Sequence, residues 1–177
     1  MPRVHKHKAR KDIYKFGKYL DNSKTKSGKR LDRSIPRDEN DYVIVPKGKE
    51  YYSWKFRHGG KHISLTYPKQ SQLTQSDFLQ RVYQVDESQP ISGSKEDLES
   101  WLEEVIYDME ELRDEQEEKR ENMPENLAYS PVAELLQERY DDLDSWINEL
   151  EQFKDEVSDC EDEFEDLINN LPTYEGN

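Results

Sequence analysis

The chain has 177 residues, of which 32% are hydrophobic and 37% charged, with a formal net charge of −14. So polar a composition leaves room only for a thin apolar core or for part of the chain to be extended, and no stretch approaches the roughly 20 apolar residues of a membrane span. One cysteine, Cys160, excludes an internal disulfide framework and fits a reducing compartment. The opening MPRVHKHKAR lacks the apolar region of a secretory signal, so the cytoplasm is the expected location.

The total conceals two halves of opposite sign. Residues 1–69 carry nineteen Lys/Arg and seven Asp/Glu, a net +12; residues 70–177 carry seven and thirty-three, a net −26. That asymmetry implies a polyanionic partner for the basic half, or attraction between the halves or between copies.

Residues 1–40 have no sustained apolar period and read as a flexible basic arm. Lys24, Lys26, Lys29, Arg30 and Arg33 cluster there among Ser, Thr and Gly, which suits contact with a polyanion. DYVIVP at 41–46 is a β-branched run closed by proline, and KGKE supplies a turn. The next segment, YYSWKFRHGGKHISLTY at 51–67, reads as a β-hairpin. A two-residue turn at Gly59-Gly60 pairs Phe56 with Ile63, Trp54 with Leu65 and Tyr52 with Tyr67 on one apolar face, which Val43 and Val45 join. Lys55, Arg57 and His62 then share the opposite, basic face, flanked by Lys47, Lys49, Lys61 and Lys69. Tyr51 also falls on that face and is the candidate for stacking on a base. The helical spacing of Phe78, Leu79, Val82 and Tyr83, with Thr74 as its N-cap, predicts a helix that covers the apolar face.

Residues 41–86 resemble the arm-type DNA-binding modules at the N-termini of phage integrases. The likeness rests on Trp54, Phe56, Arg57, Gly59, Gly60 and Lys61. It implies a short antiparallel sheet with one helix and a nucleic-acid-binding role. No recombinase catalytic domain follows, so integrase activity does not carry over. The stretch YYSWKFRHGGKHISLTYPKQSQLTQSDFL is also similar to segments of small phage and prophage proteins, which implies a phage origin and a host cytoplasm.

The acidic half reads as an antiparallel helical hairpin over 94–172. Leu98, Leu102, Val105, Met109 and Leu112 mark a helix over 95–122. Ser130 caps a second, with Pro131 at its first position. Leu136, Leu143, Leu150, Val157, Phe164 and Leu171 stand seven apart, a coiled-coil-like seam in a helix of about forty residues, roughly 60 Å long. Cys160 lies on that seam and reads as core. The surplus at the C-terminal end, about residues 157–171, has to pack on the N-terminal module, on the helix at 75–86 or on another subunit. A partner helix or a homodimer through Leu150, Val157, Phe164 and Leu171 is the favoured expectation.

The sequence contains no finger-like set of zinc ligands, phosphate-binding glycine loop, HExxH or calcium-loop spacing, so no metal, cofactor or enzymatic chemistry is expected. The combined expectation is an α+β protein that binds nucleic acid, DNA or RNA, through its basic half, with acidic helices for assembly or partner docking. The competing class is an acidic helical interaction factor that mimics nucleic acid on a basic host protein.

Overall fold

A computed structural model describes residues 1–21, 29–90, 92–159, 164–174 and 176. The fold is α+β and separates into two compact units, Met1–Ser76 and Asp77–Asn177. No helix among the described residues is long and apolar enough to cross a membrane.

The described residues of the first unit hold seven short strands in three small antiparallel sheets. Strands β1 (His5–Lys8), β6 (Glu50–Lys55) and β7 (Lys61–Ser64) form one in the order β1-β6-β7. Strand β2 (Ile13–Tyr14) pairs with β5 (Val43–Val45), and β3 (Lys18–Asp21) with β4 (Lys29–Asp32). The described residues of 1–40 are therefore not a separate arm. The backbone of β1 completes a ladder with β6, pairing His7 with Tyr51 and Lys6 with Tyr52. An exposed edge strand needs no apolar alternation, because its hydrogen bonds are the link. Val43 and Val45 likewise belong to a different sheet from the hairpin; Val45 is buried, and Val43 is exposed.

The β6–β7 register also departs from the expectation. Lys55 lies opposite Lys61, Trp54 opposite His62, Ser53 opposite Ile63 and Tyr52 opposite Ser64, so Phe56–Gly60 form a five-residue connection. A two-residue turn of the Asn-Gly type needs positive φ at both central positions. Neither Gly59 nor Gly60 adopts it; among the described residues the left-handed ones are Gly17 and Gly48. The connection is held instead by the Gln75 side-chain amide, which donates to His58 O at 3.0 Å. The pairing differs by an odd number of residues, so Ile63 moves to the face opposite Trp54 and His62 joins it. Leu65 and Tyr67 are exposed.

The cover over Trp54 comes from the segment just after β7. The indole Nε1 donates to Gln72 O at 3.1 Å, in a 3-10 turn over Gln70–Leu73. The helix expected to cover the sheet lies in the second unit, where Phe78, Val82 and Val85 join its core. Its start is Asp77, and Thr74 Oγ1 accepts from Ser76 N rather than from the helix's first turn.

Asp41 ties the first unit together. Its carboxylate, 8% exposed, accepts from the backbone N–H groups of Phe16, Gly17 and Arg37 at 3.0, 2.8 and 2.8 Å. Burial opposes its charged form, but these donors outweigh that penalty and hold the carboxyl below its ordinary range.

The second unit is a helical bundle of α1 (Asp77–Ser88), α2 (Lys95–Glu121), α3 (Pro131–Asp159) and α4 (Phe164–Asn169). Ser94 and Asp97 form a reciprocal capping box at the start of α2. Ser130 caps α3 as expected, its Oγ accepting from Ala133 N at 3.3 Å. Helices α2 and α3 run antiparallel: Lys95 Nζ donates to Ser158 O, and Lys154 pairs with Glu103, while Arg113 pairs with Asp144. Leu98, Leu102, Val105, Met109 and Leu112 are all buried against Leu143, Ile147, Leu150 and Phe153. Arg81 fastens α1 to α2 through Glu115 at 2.7 Å and Asp108 O at 3.0 Å.

The second helix does not continue to residue 171. Trp146 Nε1 donates to Pro172 O at 3.2 Å, whereas an unbroken helix would hold those residues about 39 Å apart. The described residues beyond α3 thus return to their own bundle and pack there, as one of the expected placements had it, against the cluster that holds Phe78, Val82 and Val85. Leu150, Val157 and Leu171 are buried there and Phe164 packs against the cluster, so these four side chains are occupied within the chain rather than presented to a partner. Cys160 lies outside the described residues.

Candidate nucleic-acid interface

In a strand, alternate side chains share a face. In the β1-β6-β7 sheet, His5, His7, Tyr51, Ser53, Lys55, Lys61 and Ile63 take one face; Lys6, Tyr52, Trp54 and His62 take the other. The expected basic set is therefore divided. Lys55 and Lys61 lie directly opposite each other and are exposed. Arg57 sits in the five-residue connection. His62 stacks on Trp54, with ring centroids 5.4 Å apart and planes at 15°, so it caps the apolar face. The cause is the register: the displacement that places His62 opposite Trp54 also brings Lys61 opposite Lys55.

Arg33 adds a third cation beside this pair, its guanidinium donating to Lys61 O at 3.4 Å. The adjacent Ser34 is fixed by Asp32, whose Oδ1 accepts from Ser34 N at 2.9 Å and Oγ at 2.7 Å. Those two bonds, side-chain first, hold the Asp32 carboxyl below its ordinary range. Ser34 lines an open groove of about 840 Å³. His7 and Tyr51 contribute one part of its lining and Lys8, Arg10 and Lys11 another. The His7 and Tyr51 rings stack at 5.1 Å with planes at 28°, and His7 Nε2 lies 2.9 Å from Ser53 Oγ.

Lys47 and Lys49 lie in the β5–β6 connection with exposed side chains. Their backbones anchor the groove segment: Lys47 N donates to Asp12 Oδ1 at 2.7 Å, and Lys49 O accepts from Ala9 N at 2.8 Å. Lys69 is exposed just ahead of the 3-10 turn, and its N–H donates to Gln72 Oε1 at 3.1 Å. Lys29 and Arg30 are exposed on β4, opposite Asp21 and Leu20. Lys24 and Lys26 lie outside the described residues. A further aromatic and basic cluster surrounds Phe16, with Arg37 4.7 Å and Lys15 5.2 Å from the ring centroid; Lys15 also lies 5.3 Å from that of Tyr42.

Sequence reasoning counted Arg33 in the basic cluster of residues 1–40 but missed His7, Arg10 and Lys11 as contacts. The alternation of HKHK was the available signal, since it places both histidines on one face of a strand. Among the described residues, no group of three or more His, Cys, Asp or Glu side chains is placed to hold a metal ion. No family model, curated protein or solved structure matches this chain.

Proposed function

We propose that this chain is a non-enzymatic nucleic-acid-binding protein that engages its polyanion through Met1–Ser76, with the acidic helices serving assembly or partner docking. The supporting observation is the Lys55–Lys61 pair. Like charges directly opposite across two strands destabilise the sheet, and Arg33 adds a third positive charge at the same place. A phosphate backbone across that face offsets the repulsion. The chain's basic excess supports the same reading. All of the +12 lies in the first unit, because residues 70–76 carry no charge. The resemblance to integrase arm-type modules, from which the phage origin is proposed, is left with the hairpin residues Trp54, Phe56, Arg57, Gly59, Gly60 and Lys61, since the helix it implies belongs to the second unit.

The test is binding of the purified chain to short duplex and single-stranded DNA and RNA across a salt series. Affinity should fall steeply with salt, because bound lysines and arginines release counterions. It should collapse in a Lys55→Glu/Lys61→Glu variant. Absence of binding at low salt to all four probes refutes the reading.

A second reading, a protein-docking role for the helical unit, has one specific support. A hollow of about 350 Å³ between α2 and α3 is lined by Glu103, which Lys154 neutralises there, and by the carboxylates of Glu110, Glu151 and Asp155, unmatched among the described residues, with Tyr107 68% exposed beside them. Carboxylates around an aromatic suit a basic protein surface, including one that ordinarily holds nucleic acid. Titration with a lysine-rich peptide checks it. Undiminished binding by a Glu110→Gln/Glu151→Gln/Asp155→Asn variant rejects this hollow as the site.

A further inference from the structure

We propose that the groove beside β1 seats an unstacked base of a single-stranded nucleic acid, with the base against the Tyr51–His7 ring pair and its phosphates on Arg10 and Lys11. The inference rests on the nucleic-acid reading and adds strand type and base seat.

Three observations carry it. First, the groove's volume of about 840 Å³ falls within the range of ordinary ligand clefts, about 300–1,000 Å³. Second, its lining joins two chemistries that recognise a nucleotide. The stacked rings of Tyr51 and His7 are a flat platform, with His7 held at Ser53, and every base has a π-face to lay on one. Lys8, Arg10 and Lys11 supply the charge against the single carboxylate of Asp12, which accepts from Lys47 N, and none of the three cations makes a salt bridge among the described residues. Third, the groove leads onward: Ser34 lines it, and the neighbouring Arg33 reaches Lys61, which faces Lys55. A mononucleotide would leave that continuation unused, whereas a strand follows it with successive phosphates. A duplex keeps its bases in the stack, away from such a platform.

The experiment uses the full chain and fluorescence anisotropy. Labelled oligothymidylate, a duplex of equal length and thymidine monophosphate as competitor are compared at one salt concentration. The single strand should bind tighter than the duplex, and the mononucleotide should compete only weakly. Tyr51→Ala should weaken single-strand binding about 5- to 100-fold, the scale of one base–aromatic stack. Duplex binding should stay unchanged, and Tyr51→Phe should retain single-strand affinity. Should Tyr51→Ala fail to fold, Arg10→Glu/Lys11→Glu decides, since both side chains are exposed; it should abolish the single-strand preference.

Equal affinity for both forms, or single-strand binding that neither variant weakens, overturns this inference and leaves the broader reading standing. A mononucleotide that competes as well as the strand also overturns it. Failure of wild type to bind any nucleic acid overturns both.

Discussion

Trp146 reaches Pro172, twenty-six residues further along the chain, through a 3.2 Å hydrogen bond from its indole. Tyr174 packs edge-on against the same indole and against Phe78, and Leu171 is buried beside them. The C-terminal return of the chain thus closes the bundle core. Burial, the first cause, and the nearby Asp142 carboxylate raise the Tyr174 hydroxyl's pKa well above its ordinary value, so the phenol stays neutral as it packs.

Trp146→Phe removes the hydrogen bond while keeping most of the aromatic bulk, so the helical unit should lose about 1 kcal/mol. Trp146→Ala should cost about 3–5 kcal/mol by opening a cavity. Urea denaturation followed by helical circular dichroism reads the difference. Equal, negligible losses would show that the return segment does not stabilise the bundle.

Leu102 and Leu143 are completely buried in the same cluster. Alanine at either should destabilise the helical unit by about 2–5 kcal/mol. Trp54 fluorescence, the only tryptophan signal from the first unit, should keep its transition once it is isolated in a Trp101→Phe/Trp146→Phe background. A matching shift of the Trp54 transition would mean that the units unfold as one.

Gly17 is constrained twice. Its φ is +66°, and a Cβ there would lie 2.7 Å from Arg33 Cα and 2.9 Å from Asp32 O, both backbone atoms. Gly17→Ala should destabilise the first unit by about 1–3 kcal/mol from the backbone conformation alone, with the clash adding to it. Hydrogen exchange should accelerate at the amides of Tyr14 and Lys18, which bond to Arg33 O and Ile35 O. Unchanged protection at both amides refutes the constraint.

The Asp41 carboxyl is held below its ordinary range in the folded chain, so its stabilising contribution is complete above the unfolded pKa, about 3.9. That contribution is lost as the pH falls through the lower folded value. Acidification should therefore free the amides of Phe16, Gly17 and Arg37 only at pH values below the ordinary carboxylate range, and Asp41→Asn should do so at neutral pH. Amide exchange as a function of pH checks both. Protection at those three sites that survives in Asp41→Asn would exclude the carboxylate as their anchor.

Relief of the Lys55–Lys61 repulsion should trade binding for stability. Lys61→Glu places opposite charges across the strands, so the first unit should melt slightly higher in low salt, with the gain shrinking as salt is added. Nucleic-acid affinity should fall in the same variant. A lower melting temperature at every salt concentration would refute the charge argument.

The helical unit was largely legible because its signals are long and periodic. Leu98 to Leu112 and Leu136 to Val157 repeat often enough to define a face, and Ser130-Pro131 marks a start chemically. The return of the chain beyond α3 was not legible, because Phe164, Leu167 and Leu171 keep the heptad spacing across it. Periodicity reports which side chains are buried, not where the chain turns. The first unit was read less well for a related reason. The ladder of β1 is made by backbone groups common to every residue, so HKHK resembles a tail. The hairpin register turned on the φ of Gly59 and Gly60, which the residue type permits to take either sign. Alternation put Tyr51 and Lys55 on one face and left Lys61 only beside it; that Lys61 shares the face depends on the observed register, and that His7 does depends on pairing distant in sequence.

The join between the two units falls where charge vanishes. Residues 70–76, QSQLTQS, are uncharged, and the first unit ends at Ser76. Every acidic and basic side chain is thereby inherited whole by one unit or the other. A crossover or insertion within those seven positions exchanges a complete cationic module or a complete anionic one and leaves the ionic composition of both intact. The chain's overall isoelectric point of about 4.8 is consequently the average of two opposed pieces and describes neither.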